Sequence, residues 1–434
     1  MNKIPTLVSW ALKATIGSLV LATTWVTWDN WGRFSFSADA SRHIEAPTTP
    51  TPDTLAQGEY LVRIGGCMAC HSSNGGEPLA GGRRIDTPFG PVFSSNLTPS
   101  LTHGIGAWTL ADFQNALRWG RSRDGRLLLP AFPYNHTSVF TSEDVQAMFA
   151  WLQSIKPVDV ASPAHQLTWP VGTQPVVAVW RSLYFSPTTF KSNEQQSDTW
   201  NRGAYLVQSA GHCAACHGQR DALGGFPAVD DLSGGFLPSQ MWVAPSLIDS
   251  TQTTLSRSSS ENISLLLRAG QNTSASVSGP MAEFVQHVGQ YLSAQDGLAI
   301  ATYLKSRIDP SSQKAKTSPS AMASSTPAAQ TIYANHCANC HGDNGEGKAG
   351  RYPALAGNPA VVLAQPDNLI QMALYGGYGP STHSRPRPYG MPPYLFTLNN
   401  QQIADVLNHI RSQWGNQAPA VSPVQVDRVR AAAY

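Results

Sequence analysis

All six cysteines of this 434-residue chain fall in three copies of one pentapeptide, and nothing else in the sequence restricts the fold so tightly. The copies read Cys67-Met-Ala-Cys70-His71, Cys213-Ala-Ala-Cys216-His217 and Cys337-Ala-Asn-Cys340-His341. A lone Cys-x-x-Cys fits a redox-active dithiol or half of a zinc site. The first belongs in βαβ patterns, which this sequence lacks. The second needs another pair close by, and these pairs stand more than a hundred residues apart. A histidine after every pair, with no cysteine left over, is the attachment pattern of c-type haem. Two thiols one helical turn apart bond to the vinyl groups of one porphyrin, and the next histidine is held under the iron. The sequence therefore predicts three covalently bound haems on Cys67, Cys70, Cys213, Cys216, Cys337 and Cys340, with His71, His217 and His341 as proximal ligands.

The surroundings of each pentapeptide form an internal repeat. A short helical run leads in: LAQGEYLVRIGG before Cys67, NRGAYLVQSAGH before Cys213 and AAQTIYANH before Cys337. A long Gly/Pro-rich loop follows, in keeping with 36 glycines and 32 prolines overall. An amphipathic helix then closes each copy, from Ser142, Ser293 and Asn399, where a Ser or Asn before an acidic or amide residue reads as a capped start. Lead-in and closing helices are expected to cross and wall the haem, with the loop covering its other face. The fold class expected is mainly α: three tandem cytochrome c-type domains, each of short helices wrapped round its haem.

The covering loop should carry the sixth iron ligand. Met281 in GPMAEF lies 64 residues after His217, and Met391 in YGMPPY lies 50 after His341, each beside Gly or Pro where the backbone bends. Both are candidate axial ligands. Met148, Met241 and Met372 read instead as ordinary core or loop methionines. The first domain departs from this pattern. Its loop, PAFPYNHT at 130–137, has Phe132, whose ring cannot coordinate iron, where a methionine is expected. His136, 65 residues after His71, takes the place as candidate distal ligand, with His103, Met148 or an open position as alternatives. Two imidazoles would lower that haem's potential relative to the others. In the third domain, Gly345-Glu-Gly347 and PALAGN at 353–358 suggest a loop whose Pro353 carbonyl accepts the proximal His N–H. His212 and His336 read as structural or solvent-facing, and the other histidines follow no pattern.

Charged residues make up only 13% of the chain, with a net charge of +2. No basic face for nucleic acid and no Lys/Arg run for acidic lipid is present. The domain plan is 1–44 export signal or membrane anchor plus spacer, 53–156 first haem domain, 157–198 an apolar connecting segment, 199–309 second domain, 310–327 a Ser/Pro/Ala linker, 328–415 third domain and 416–434 a tail. The segment EAPTTPTPDT at 45–54 reads as a stiff spacer. The connecting segment holds Trp169, Trp180, Tyr184 and Phe185, too apolar for a loose tether. The N-terminal apolar stretch, interrupted by Lys13 and followed by Ala38-Asp39-Ala40, fits both a cleaved export signal and an anchor. Either places the body of the protein on the periplasmic side of the cell membrane. The tail, with Ser422, Pro423 and Gln425, reads as one capped helix resting on the protein or on the bilayer.

From about residue 52 onward the chain resembles the three-haem cytochrome c subunits of bacterial membrane-bound dehydrogenases. The motifs are GGEPLAGGRRIDTPFGPVFSSNLTP (75–99), GIGAWTLADF (104–113), RDGRLLLPAFPY (123–134), WNRGAYLVQSAGHCAACHGQRDALGG (200–225), SGPMAEF (278–284) and MPPYLFTLNNQQIADVLNHIR (391–411). The resemblance implies a subunit that takes electrons from a large catalytic subunit, with or without a small iron–sulfur subunit, and passes them to ubiquinone or a terminal oxidase. It also implies iron ligation by the three pentapeptide histidines, by Met281 and by Met391. The PAFPYNH, GPMAEF and LSGGFLPSQ segments look most like cytochromes paired with molybdopterin aldehyde or heteroaromatic dehydrogenases. Quinoprotein alcohol dehydrogenases and flavin-linked gluconate or sugar dehydrogenases are the alternatives. A separate reading is a haem enzyme with an open position at the first iron; a bare diffusible carrier fits the chain's size and apolar segments poorly.

Overall fold

A computed structural model describes residues 4–32, 50–225, 228–237, 240–253, 255–272, 275–309 and 321–432. The chain divides into two compact units, residues 1–59 with 70–190 and residues 60–69 with 191–434. Both are helical, with three short antiparallel hairpins among the described residues: Arg84–Ile85 with Val92–Phe93, Gly235–Leu237 with Trp242–Ala244, and Gly377–Tyr378 with Gly390–Met391. The Ala38–Ala40 stretch, residues 45–49 of the expected spacer and residues 310–320 of the linker lie outside the described residues. The rest of the spacer is not extended, because a helix already begins at Pro52.

In the first unit, residues 52–59 of the lead-in helix Pro52–Ile64 meet the closing helix Ser142–Ser154 at a glycine. A Cβ built on Gly58 would lie 2.0 Å from the Ala147 carbonyl oxygen and 2.9 Å from Trp151 Cβ. The second unit repeats this crossing one residue for one residue. A Cβ on Gly203 of helix Asp198–Gln208 would lie 2.0 Å from the Ala299 oxygen and 2.9 Å from Tyr303 Cβ of helix Ala294–Ser306. Bare backbone at these positions lets the helix axes approach more closely than any side chain allows. All three closing helices are 13 residues long. Ser293 and Asn399 cap the second and third as expected, Asn399 in a full capping box with Gln402. The first is capped one residue earlier than read, by Thr141, whose hydroxyl accepts from the Asp144 amide. Ser142 is the first helical residue instead.

Residues 157–190 of the connecting segment pack within the first unit. Val177, Ala178 and Arg181 of helix Gln174–Tyr184 are buried, and Tyr134 stacks edge-on to Phe185 at 4.7 Å. Asn30, beyond the N-terminal helix Ile4–Thr27, is buried in the same place. Its amide donates to the carbonyls of Val26 and Ala178, and it accepts from Arg181 Nε (3.0 Å) and Arg121 Nη2 (2.7 Å). No described helix is long and apolar enough to cross a membrane.

The core around the third pentapeptide gathers Tyr333, Ile370, Leu374, Ile403, Leu407 and Ile410. Arg411, fully buried, donates to the carbonyls of Pro419, Val361 and Leu363 and so ties the 419 loop to the end of the short helix Pro359–Val362. The tail helix Pro423–Ala431 has the capping box read from Ser422 and Gln425. Its Val426 and Val429 are buried in this core, so it rests on the protein.

Candidate haem-binding sites

Each pentapeptide is one helical turn. The His217 amide donates to the Cys213 carbonyl at 2.8 Å and the His341 amide to the Cys337 carbonyl at 2.9 Å; Cys67–His71 is helical throughout. The two sulfurs of each copy thus sit one turn apart, as the porphyrin vinyl spacing needs.

Behind each turn the same cradle is built three times. The proximal ring is held at Nδ1 by a backbone carbonyl: His71 by Ser95 at 2.6 Å, His217 by Pro245 at 2.8 Å and His341 by Pro353 at 2.9 Å. A carbonyl only accepts, so Nδ1 carries the proton and the lone pair is on Nε2. The proximal His carbonyl in turn accepts from a glycine amide, Gly81, Gly234 or Gly347, at 2.7 Å in every copy. Two residues past the ring-holding carbonyl a leucine amide bonds back: Leu97 to Leu79, Leu247 to Leu232 and Leu355 to Gly345.

The cradle explains its glycines. Gly81, Gly234 and Gly347 have φ of 78°, 96° and 69°, in the left-handed region where a side chain is strained. A Cβ there would also meet the carbonyl-bearing strand, 2.6 Å from Ser95 C, 2.9 Å from Ser246 N and 2.6 Å from Ala354 N respectively. Pro353 is thus found in the role read for it. Ser95 and Pro245 were not foreseen. The shared signal is a leucine two residues further on, faint enough to surface only when three copies are superposed.

The electrostatics suit a neutral group bound covalently. Burial pulls His71, His217 and His341 below the usual imidazole range, keeping the rings neutral and the Nε2 lone pairs free for metal. Burial pushes the Cys213 and Cys337 thiols each up to about 12, and raises Cys70 and Cys216. A buried thiolate would be costly, whereas a thioether has no charge to desolvate. Among the described residues no cluster of His, Cys, Asp and Glu fits a free metal ion. The residues present fit a covalently held porphyrin whose iron is bound on one side by imidazole.

The distal candidates lie in the covering loops. Met281, half-buried, is in the first turn of helix Gly279–His287, opened by Gly279 at φ 53° against the ring of Trp242, where a Cβ would lie 2.5 Å away. Met391, also half-buried, pairs with Gly377 in the short hairpin, and the facing Gly376 leaves only 2.2 Å between a built Cβ and the Met391 oxygen. His136 is fully buried in the turn Tyr134–Thr137. Phe132 is half-buried and edge-on to Tyr134. Of the competitors, His103 is exposed and Met148 is buried in the closing helix. His212, expected to be structural or solvent-facing, is drawn below the usual imidazole range by burial and hydrogen-bonds the Gly65 backbone.

Within the second unit the segment leading to Pro245 is bolted to helix Asp367–Tyr375 of the third repeat. Asn368 of helix Asp367–Tyr375 accepts from the Val243 amide at 2.8 Å and donates to the Val243 carbonyl at 2.7 Å. Gln371 donates to the carbonyls of Gln240 and Met241.

Short helices crossed over a Cys-x-x-Cys-His turn, with the histidine ring tied to a downstream carbonyl, define a c-type cytochrome. The cytochrome c family model matches residues 201–307 and 327–414. The chain is 38% identical over 405 residues to an alcohol dehydrogenase (quinone) cytochrome c subunit of Gluconacetobacter polyoxogenes, covering 88% of this chain and 86% of that one. It is 37% identical over 383 residues to a gluconate 2-dehydrogenase cytochrome c subunit of Pantoea cypripedii, covering 84% and 87%. It is 34% identical over 386 residues to a nicotinate dehydrogenase subunit of Pseudomonas putida, covering 86% of this chain and 32% of that protein. The chain belongs to the family of cytochrome c subunits of dehydrogenases.

Proposed function

We propose that this chain is an electron-transfer subunit with three covalently bound haems, relaying electrons from the catalytic subunit of a periplasmic, membrane-bound dehydrogenase to ubiquinone or a terminal oxidase. One observation carries the count of three: the carbonyl–imidazole–glycine cradle recurs behind His71, outside the stretches that the family model matches, as it does behind His217 and His341. Bound haem supplies a reversible one-electron couple. The protein's part is to hold each imidazole in one tautomer, to exclude water, and to present a second ligand from the covering loop. We assign those second ligands as Met281, Met391 and, at the first site, the buried His136.

Similarity to a nicotinate dehydrogenase subunit supports the reading of a heteroaromatic or aldehyde dehydrogenase partner of the molybdopterin type. A quinone-type alcohol dehydrogenase partner is the second reading. It is favoured by a relative of higher identity that is matched over 86% of its own length rather than 32%. The buried Asn30, gripped by Arg121 and Arg181, favours retention of the N-terminal helix over its removal as an export signal.

The test is purification of the tagged chain from a host that matures c-type haem. Expected are a mass with three added porphyrins, an intact N-terminus, low-spin spectra, and a co-purifying large subunit whose cofactor identifies the partner. Peroxide turnover by the chain alone, with a high-spin signal from one haem, would favour the enzyme reading.

A further inference from the structure

The turns entering the first and second pentapeptides are built alike, with one substitution. Gly65-Gly66-Cys67 in the first matches Gly211-His212-Cys213 in the second. A Cβ on Gly65 would lie 3.8 Å from Cys67 Sγ, and one on Gly211 3.3 Å from Cys213 Sγ. The middle residue has positive φ in both, 69° at Gly66 and 33° at His212. Glycine suits that conformation and histidine is strained in it. A side chain kept where the backbone asks for none needs a compensating contact, and the contact here is specific. His212 hydrogen-bonds the Gly65 backbone, and its Nε2 lies 3.4 Å from where a Cβ on Gly66 would stand. Val288 Cγ2 closes the other side at 3.5 Å. The residue before one haem-bearing cysteine therefore grips the two residues before another, and all of them lie in the second unit.

The same segment is fastened twice more. The Tyr60 hydroxyl donates to Asp296 at 2.6 Å and accepts from the Ser293 amide at 3.2 Å, while Arg202 holds Asp296 through two bonds of 2.8 Å. The Arg63 guanidinium lies 5.0 Å from the centre of the Tyr291 ring. Three fastenings over residues 60–66 leave the Cys67 attachment little freedom relative to Cys213.

We propose that His212 is a positioning residue that fixes the spacing of the Cys67 and Cys213 attachment points within the second unit. The proposal rests on the relay reading. Its primary measurement, amide exchange in the haem-loaded chain, does not depend on any electron donor or acceptor. His212→Ala should speed exchange at the Gly65 and Gly66 amides about tenfold and change the separation between the first two haem potentials in a spectroelectrochemical titration. His212→Gln, which can still donate to the Gly65 carbonyl, should restore both. Where His212→Ala does not mature, Val288→Ala loosens the same contact from its other side and should shift both readouts in the same direction. Unchanged exchange and unchanged potential separation in the variants would overturn the proposal. Loss of electron delivery with exchange unchanged would also count against the clamp and leave the relay reading standing.

Discussion

The backbone of Gly203 approaches the Ala299 carbonyl so closely that a Cβ would lie 2.0 Å from its oxygen. A methyl group cannot be absorbed there without parting the helices, because the obstacle is main chain. Gly203→Ala should destabilise by about 1–3 kcal/mol, seen as a lower thermal midpoint with haem spectra unchanged. Gly58→Ala should behave alike at the matching crossing with Ala147.

Gly347 carries both a positive φ and a 2.6 Å approach to Ala354 N. Gly347→Ala should therefore cost about 2–3 kcal/mol, and it should do so at the haem. Displacing the Pro353 strand loosens the bond to His341 Nδ1, so the third haem's potential should move while the other two stay fixed. Redox titration of the variant checks this.

Asp296 gives a pH signature. Burial alone would raise its pKa, but the hydrogen bonds from Arg202 and Tyr60 outweigh that and hold it below the usual aspartate range. A carboxyl depressed on folding stabilises fully above its unfolded pKa, and the contribution fades as pH falls through the folded value. Urea denaturation should show the wild-type chain losing stability on acidification from about pH 5 downward. Asp296→Asn should flatten that limb and lower stability at neutral pH.

Met391→Ala and Met281→Ala should each remove the methionine-to-iron charge-transfer band from one haem and lower its potential, since a methionine ligand raises it. Met372→Ala, which alters a methionine of helix Asp367–Tyr375, should leave the band in place. Visible spectra of the ferric proteins decide between them.

His136→Ala should convert the first haem to a high-spin form, recorded by electron paramagnetic resonance. Reversion by added imidazole would identify the missing ligand chemically. A spectrum identical to wild type would return the first site to His103, Met148 or an open position.

The haem turns and their closing helices were legible because their signals are local. Cys-x-x-Cys-His needs one helical turn, and Ser293 or Asn399 before Asp296 or Gln402 needs one cap. Pro353 was readable because only 12 residues separate it from His341 in a compact Gly/Pro loop. Ser95 and Pro245 were not, because a backbone carbonyl has no residue type to betray it and their spans are 24 and 28 residues. His212 escaped for a related reason. Its partner is a peptide group of Gly65, and glycine advertises conformation rather than contact. Thr141 beside Ser142 shows the usual limit at helix ends, where adjacent hydroxyl residues compete to cap.

The unequal spans between each proximal ring and the carbonyl that locks it bear on how the chain assembles. Closing 28 residues costs about 0.8 kcal/mol more chain entropy than closing 12. His341 therefore has the least chain entropy to lose on being locked to its carbonyl, and His217 the most.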